Sequence, residues 1–440
     1  MKSHKFNRRK FIKSSSLTAL LAGLNSRLAF TRDEKMNGEE APVIKEYRRF
    51  GRTGFQVSDF SSGNPSNEAV LKALLKRGVN LIDTGEIYAN GNSERMIGEV
   101  LKEFDRTKIF INSKLYSEGG FPSKEDVIER TNKCLERLGT GYVDCMQIHS
   151  AGNTQILKDE AFHAAMEQLK KEGKVHYVGV SCHGNNWAYD NEENLEKILL
   201  SAVDDGRFDV FLMAYNFVNA DMAEKVLNAC EQKNIATIIM KSNPIYIYGL
   251  LEGRVNRLAE EGQEVDEYTQ RFYDKYKVMQ QSAERYFADY GITDEREIML
   301  AASRYVLSNP KAHTTAWDFR SYDDIDLMLG LSGQRLGEKD KLVLEGYNEF
   351  MGPYTCRIGC SDCEIACPYH MRINAILRYN YYFSAKKRQK YAMTKFARLQ
   401  NRNPSELCRD CEGYCETACR YGVQTRSLLA VAQSNLELIT

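Results

Sequence analysis

Two sets of residues in this chain have types and spacings that could do chemistry. The first lies in Leu81-Ile82-Asp83-Thr84-Gly85-Glu86-Ile87-Tyr88, where an acid closes a short apolar run and a tyrosine follows it by five positions. Loops at strand ends hold reactive groups on a rigid scaffold, and a tyrosine there can pass a proton to a carbonyl oxygen. The second is a crowd of cysteines: eight of the 12 fall between Cys356 and Cys419, while Cys134, Cys145, Cys182 and Cys230 are scattered. Such clustering favours a metal framework over general disulfide stapling.

The elements that must position these groups show in the apolar periodicity. Strand candidates are Val79–Ile82, Lys108–Ser113, Val143–Ile148, Val178–Val180, Val210–Met213 and Ile235–Met240, with weaker ones near Val57–Gly63 and Thr314–Trp317. Helical spacing separates them, as in Met96, Ile97, Val100, Leu101 and Phe104. Regular alternation of this kind predicts parallel strands with crossover helices. Eight such units between about 57 and 332 favour an α/β fold of the (β/α)8 TIM barrel type over a doubly wound sheet. A glycine-framed turn at Gly51–Gly54 predicts a leading hairpin. The charged, tyrosine-rich stretch Glu264–Tyr290 is expected to form one or two exposed helices inserted after the seventh strand.

The total charge excludes some partners. Lys plus Arg and Asp plus Glu are each 60, so no global field favours nucleic acid. The N-terminus pairs Arg8-Arg9 with Phe11-Ile12-Lys13 and a short apolar run too brief to cross a membrane. It resembles a twin-arginine export signal over 1–30, with a polar linker over 31–43, which implies a folded protein sent to the periplasm.

In a barrel, Asp83, Lys114 and His149 close the second, third and fourth strands on one rim, with Tyr88 in the loop beside them. A lysine near the tyrosine is expected to lower its pKa, an aspartate to hold the lysine, and a histidine to orient a carbonyl. At these residues the chain resembles the aldo-keto reductases, over roughly Tyr47–Leu331. The shared motifs are Phe50-Gly51-Arg52-Thr53-Gly54, Asp83 to Tyr88, Gly91-Asn92-Ser93-Glu94, Lys114, Gln147-Ile148-His149, Gly179-Val180-Ser181, Tyr215-Asn216 and Tyr305 to Pro310. The resemblance implies Tyr88 as acid, Asp83 and Lys114 as its tuners, and His149 as substrate orienter. It further implies a small carbonyl or alcohol substrate and NADPH held by Ser181, Asn216 and Arg320. The chain departs from the family at Cys182, Leu212, Lys241 to Pro244 and Ala316-Trp317-Asp318. Arg320 could pair with a 2′-phosphate, or equally with Asp323 or Asp324 on the surface.

The tail, 351–440, carries Cys356, Cys360, Cys363 and Cys367, then Cys408, Cys411, Cys415 and Cys419. These runs resemble the bacterial two-cluster ferredoxin pattern, which implies a helical, ferredoxin-like domain with two [4Fe–4S] clusters. In that pattern Cys367 serves the second cluster and Cys419 the first. Structural zinc and a disulfide knot are the alternatives. Between the runs, 372–402 holds nine Lys or Arg and no acid, interleaved with aromatics. These aromatics are expected to pack on the barrel, with the cations facing water or the clusters. One chemical tension follows: nicotinamide passes two electrons as hydride, while each cluster moves one. A redox partner would suit the clusters. An electron-transfer or assembly module on a barrel that no longer uses nicotinamide is the second functional reading.

Overall fold

Hydrophobic alternation builds a closed ring of eight parallel strands. The computed structural model describes residues 41–184, 193–244, 267–384, 386–399 and 402–437, with backbone alone at 267–276 and 405. The twin-arginine segment and most of the linker lie outside the described residues. An antiparallel hairpin, β1 (Tyr47–Arg49) and β2 (Gln56–Ser58), comes first. The barrel strands are β3 (Phe60–Gly63), β4 (Leu81–Asp83), β5 (Phe110–Tyr116), β6 (Val143–His149), β7 (Val175–Cys182), β8 (Val210–Ala214), β9 (Ala236–Met240) and β10 (Thr314–Trp317). They close in sequence order, with β10 pairing both β3 and β9.

Crossover helices follow the strands: α1 (Glu68–Lys76), α2 (Asn92–Leu101), α3 (Lys124–Leu138), α4 (Glu160–Lys171), α5 (Leu195–Asp205) and α6 (Ala220–Gln232). Local chemistry starts them. The side chains of Asn67, Ser123, Asp159 and Asn194 each accept the backbone N–H three residues later, in the first turn of their helix. The hairpin stoppers the far end of the barrel. Phe50 is fully buried edge-on to Phe110, and the Arg48 guanidinium donates to the carbonyls of Leu307, Asn309 and Ala312. Gly51 has φ +49° there, and a Cβ would meet the Ala236 nitrogen at 2.5 Å, so only glycine fits.

After β9 comes α7 (Glu267–Asp289), the helix expected in the insertion. It is less exposed than its charge suggested: Met279, Ala283 and Tyr286 are buried in a cluster with Val343, Leu344, Tyr347 and Val431. Then follow α8 (Arg296–Ser308), α9 (Tyr322–Leu329) and α10 (Glu338–Met351). The tail is helical: α11 (Asp362–Ile365), α12 (Ile373–Ser384), α13 (Gln389–Phe396), α14 (Pro404–Leu407), α15 (Tyr414–Ala418) and α16 (Thr425–Leu436). Residues 42–440 form one compact unit, so the tail packs on the barrel. Glycines permit the closest approach. Gly184, after β7, abuts Gly359, whose own Cβ would stand 2.7 Å from Leu195 Cβ at φ +95°. The Leu195 N–H donates to the Gly359 carbonyl at 2.9 Å, and the Asn219 amide donates to the Ile358 carbonyl at 3.3 Å. Among the described residues no helix is long and apolar enough to cross a membrane.

Candidate active site

The rim opposite the hairpin brings the four expected residues together. Asp83 ends β4 and His149 ends β6, while β5 runs on to Tyr116, so Lys114 lies two residues inside its strand. That interior position buries Lys114 completely. Its ammonium pairs with Asp83 Oδ1 at 2.7 Å and donates to the Thr84 carbonyl. The Asn112 amide donates to the same Asp83 oxygen at 2.6 Å. Asp83 is only 4% exposed, so this charge pair sits in a region of low polarity where its attraction is strong.

Tyr88 opens a short 3-10 turn, Tyr88–Gly91, in which Ala89 and Asn90 take positive φ of 49° and 55°. Left-handed backbone in non-glycine residues concentrates at functional sites, and here it follows the tyrosine directly. Glu86 holds the preceding loop: it accepts from the Tyr116 N–H at 2.8 Å and from the Arg130 guanidinium. Behind it, buried Glu94 accepts from Ser113 Oγ at 2.7 Å and from Arg137 Nε at 2.7 Å. The Tyr88 and His149 rings meet edge to face at 5.5 Å, and Lys114 Nζ lies 4.8 Å from the Tyr88 ring centroid.

The electrostatics correct one expectation. The Tyr88 phenol is pushed well above its ordinary value, first by burial, then by the Asp83 charge and by Tyr391 and Tyr382, against a smaller pull from Arg388. Burial and the Asp83 charge outweigh the pull of Lys114, whose ammonium is shared with Asp83 and the Thr84 carbonyl. Tyr88 therefore holds its proton firmly near neutral pH, the state a proton donor needs. His149 is pushed well below the usual imidazole range, first by burial, then by Lys114 and Lys395. It is neutral, and its buried Nδ1 has no hydrogen-bond partner.

The expected cofactor residues are placed differently. Ser181 Oγ accepts from the Ser150 N–H at 2.7 Å. Asn216 donates to the Lys241 carbonyl at 2.9 Å and accepts from the N–H groups of Val218 and Asn219. Arg320 stands apart on the surface, its guanidinium 2.7 Å from Asp318, while the Asp324 carboxylate is occupied by the backbone N–H groups of Arg320 and Ser321.

The tail supplies residues that sequence reasoning did not assign to this rim. Tyr381 donates to the Asn243 carbonyl at 2.7 Å, Lys241 Nζ lies 4.6 Å from the Tyr382 ring centroid, and Lys386 Nζ lies 5.6 Å from that of Trp317. The aromatics of α12 thus pack on the barrel as expected, but Arg378 faces inward with them rather than water. The aromatic and basic interleaving of 372–402 was the available signal. It could not say which face would meet the rim.

A model of the family described as "Aldo/keto reductase family" matches residues 50–340. The chain belongs to the aldo/keto reductase family. Aldo-keto reductase YhdN of Bacillus subtilis is 23% identical over 346 residues, covering 70% of this chain and 98% of the relative. Methylglyoxal reductase YeaE of Escherichia coli is 35% identical over 133 residues, covering 30% of this chain and 44% of the relative. Other curated relatives are matched over 46–59% of their own length. Among solved structures, aldo-keto reductase AKR11C1 of Bacillus halodurans is similar at 20% identity and a TM-score of 0.49, covering 68% of this chain and 96% of its own.

The match to the aldo/keto reductase family stops before the eight cysteines of the tail. Cys356, Cys360, Cys363 and Cys419 line one small cavity with Asp362 and Tyr421. Cys408 is raised to about 12, first by burial and then by Cys415, Cys411 and Cys367, and Cys415 is raised to about 12, first by burial, then by Glu416 and then by Cys367 and Cys411. N–H groups point at the sulfurs: Asn374 Nδ2 at 3.3 Å from Cys356 Sγ, Gly413 N at 3.5 Å from Cys411 Sγ and Val423 N at 3.5 Å from Cys419 Sγ. All eight are free thiols. Among the described residues no group of three or more His, Cys, Asp or Glu is gathered to hold a single metal ion.

Proposed function

We propose that this chain is an oxidoreductase that interconverts a carbonyl and an alcohol on a small molecule, with Tyr88 as the proton donor. The observation that carries this reading is the buried Asp83–Lys114 pair behind a protonated Tyr88 and a neutral His149. In the reductive direction Tyr88 gives its hydroxyl proton to the carbonyl oxygen while the carbon takes up hydride, which a bound nicotinamide would supply, being oxidised in doing so. The phenolate left behind gains from the Lys114 charge against its ring, so stabilisation appears as charge develops. His149 is neutral and keeps a hydrogen-bonding nitrogen for the substrate oxygen. Tyr88→Phe is expected to lower turnover by roughly 10²–10⁴-fold with little change in substrate binding. Full activity in that variant would sink the reading.

We further propose that 351–440 forms an iron–sulfur segment following the barrel of 44–350, with one [4Fe–4S] cluster on Cys356, Cys360, Cys363 and Cys419. A second would sit on Cys367, Cys408, Cys411 and Cys415. Clusters of this kind pass single electrons and are supported by N–H···S contacts of the sort found here. The loop between Cys356 and Cys360 docks at Gly184, next to His183 on the barrel rim, which favours an electron route to the site and a redox partner outside it. Cluster assembly in the cytoplasm suits export of the folded protein by the twin-arginine route.

Family membership points to NADPH, yet the groups the resemblance assigns to it are engaged internally. Ser181 and Asn216 hold backbone, Arg320 holds Asp318, and Tyr381, Tyr382 and Lys386 cover Asn243, Lys241 and Trp317. Binding the dinucleotide requires exchanging these contacts. That observation favours the second reading, an electron-transfer or assembly module. Titrating anaerobically purified protein with NADPH separates the two: saturable binding with Tyr88-dependent carbonyl reduction supports a nicotinamide enzyme. Reducible clusters without binding support the carrier.

A further inference from the structure

The mouth of the barrel gathers cations that no carboxylate among the described residues neutralises. Arg378 on α12 is 5% exposed, and its Nη1 is buried with no hydrogen-bond partner. Its neighbours are aromatic: its Cζ lies 5.9 Å from the Tyr379 ring centroid, and Tyr382 and Tyr391 lie within reach of its charge. Lys241, in a left-handed conformation at φ 57°, presents its ammonium to Tyr382, and Arg388 lies 4.5 Å from the Tyr391 ring centroid. His183 feels Lys241, Arg378, His149 and Lys114 together, so these groups share one neighbourhood.

Among the described residues, other enclosed guanidinium charges meet acceptors: buried Arg48 donates to three carbonyls, and half-buried Arg106 and Arg137 pair with Asp144 and Glu94, although Arg106 Nε has no hydrogen-bond partner. Among the described residues no carboxylate stands within ion-pairing distance of Arg378, Lys241 or Arg388, and Asp83 is already held by Lys114 and Asn112. An ionised Tyr382 would answer only one of the three charges. Further buried polar atoms without partners collect here: His149 Nδ1, His183 Nδ1 and Asn243 Oδ1. Native interiors leave few such atoms, and a cluster of them marks a place where a ligand completes the bonding. A buried guanidinium with free N–H groups matches a planar or tetrahedral oxyanion.

We infer that the substrate is an anion, and that Arg378 and Lys241 bind its carboxylate or phosphate group at the barrel mouth while its carbonyl faces Tyr88. This rests on the reading of Tyr88 as the proton donor. It makes the tail helix α12 part of the substrate pocket, so specificity lies in residues outside the barrel.

The test is calorimetric binding of oxalate and of inorganic phosphate to the full chain, purified anaerobically, with neutral oxamide as control. One of the two anions is expected to bind the native protein, and its identity tells carboxylate from phosphate. Arg378→Gln and Lys241→Met should each weaken that anion by roughly 30-fold or more, since one removes a buried and the other a half-buried charge from the contact. Arg378→Lys, which keeps the charge, should retain part of the affinity and guards against loss by misfolding alone. Tyr88→Phe should bind the same anion within about threefold of the native protein. Turnover in that variant therefore tests the acid, and anion binding tests this inference. Neither anion binding, or equal binding to the native protein, Arg378→Gln and Lys241→Met, would overturn it.

Discussion

Replacing Lys114 by methionine separates what the Asp83–Lys114 pair does for the fold from what it does for the chemistry. Lys114 is fully buried and Asp83 is 4% exposed, so the substitution strands a carboxylate with one remaining side-chain donor, Asn112 at 2.6 Å. Breaking a buried pair by removing one partner costs about 3–5 kcal/mol. With a urea dependence of about 3 kcal/mol per M, the unfolding midpoint should fall by about 1–1.5 M. Asp83→Asn combined with Lys114→Met removes both charges and leaves a hydrogen-bonding amide beside Asn112. Replacing a whole buried pair is often neutral, so most of the midpoint should return. Activity should not return, because no cation then faces the phenolate ring of Tyr88, and the double variant should remain slower by roughly 10²–10⁴-fold. Urea melts followed by circular dichroism, with turnover on the same samples, give both readouts. A Lys114→Met midpoint equal to the native one would refute the desolvated pair, and recovery of turnover in the double variant would refute its catalytic part.

Two further expectations follow from the same geometry. If Cys367 and Cys419 have exchanged groups, Cys356→Ser and Cys419→Ser should abolish one electron paramagnetic resonance signal. Cys367→Ser and Cys408→Ser should abolish the other, in protein that natively carries about eight irons and eight acid-labile sulfides; absence of both elements would end the cluster proposal. His313 is lowered to about 4, first by burial and then by Arg48, and its Nδ1 accepts from the Thr237 N–H at 3.1 Å. The unfolded chain binds that proton from about pH 6.5 downward and the folded chain does not, so stability falls as pH falls. His313 alone should remove about 1.5 kcal/mol between pH 6.5 and 5, and His313→Gln should flatten that slope in urea melts at the two pH values.

Much of the scaffold was legible because a barrel strand's signal is local. Apolar runs such as Val143–Ile148 and the caps that start the helices lie within a few residues of one another, and the strand at Thr314–Trp317 stands where expected. Strand ends were less legible. β5 extends to Tyr116 because its ladder with β6 pairs Tyr116 with His149, a register that involves residues far apart in sequence. The insertion helix is half buried because α10 and α16 cover it, which its own charge pattern could not reveal.

By itself the sequence determined which chemical groups exist and at what spacing: an acid and a tyrosine five apart, a lysine, a histidine and two runs of four cysteines. Those choices are local and survive any docking of the elements. Only the tertiary structure decided that the Asp83–Lys114 pair is almost wholly buried and that burial holds the Tyr88 phenol protonated. It also decided that Arg378 turns toward the barrel mouth. Desolvation and charge pairing depend on which surfaces meet, and surfaces that meet across 200 residues of chain leave no period in the sequence.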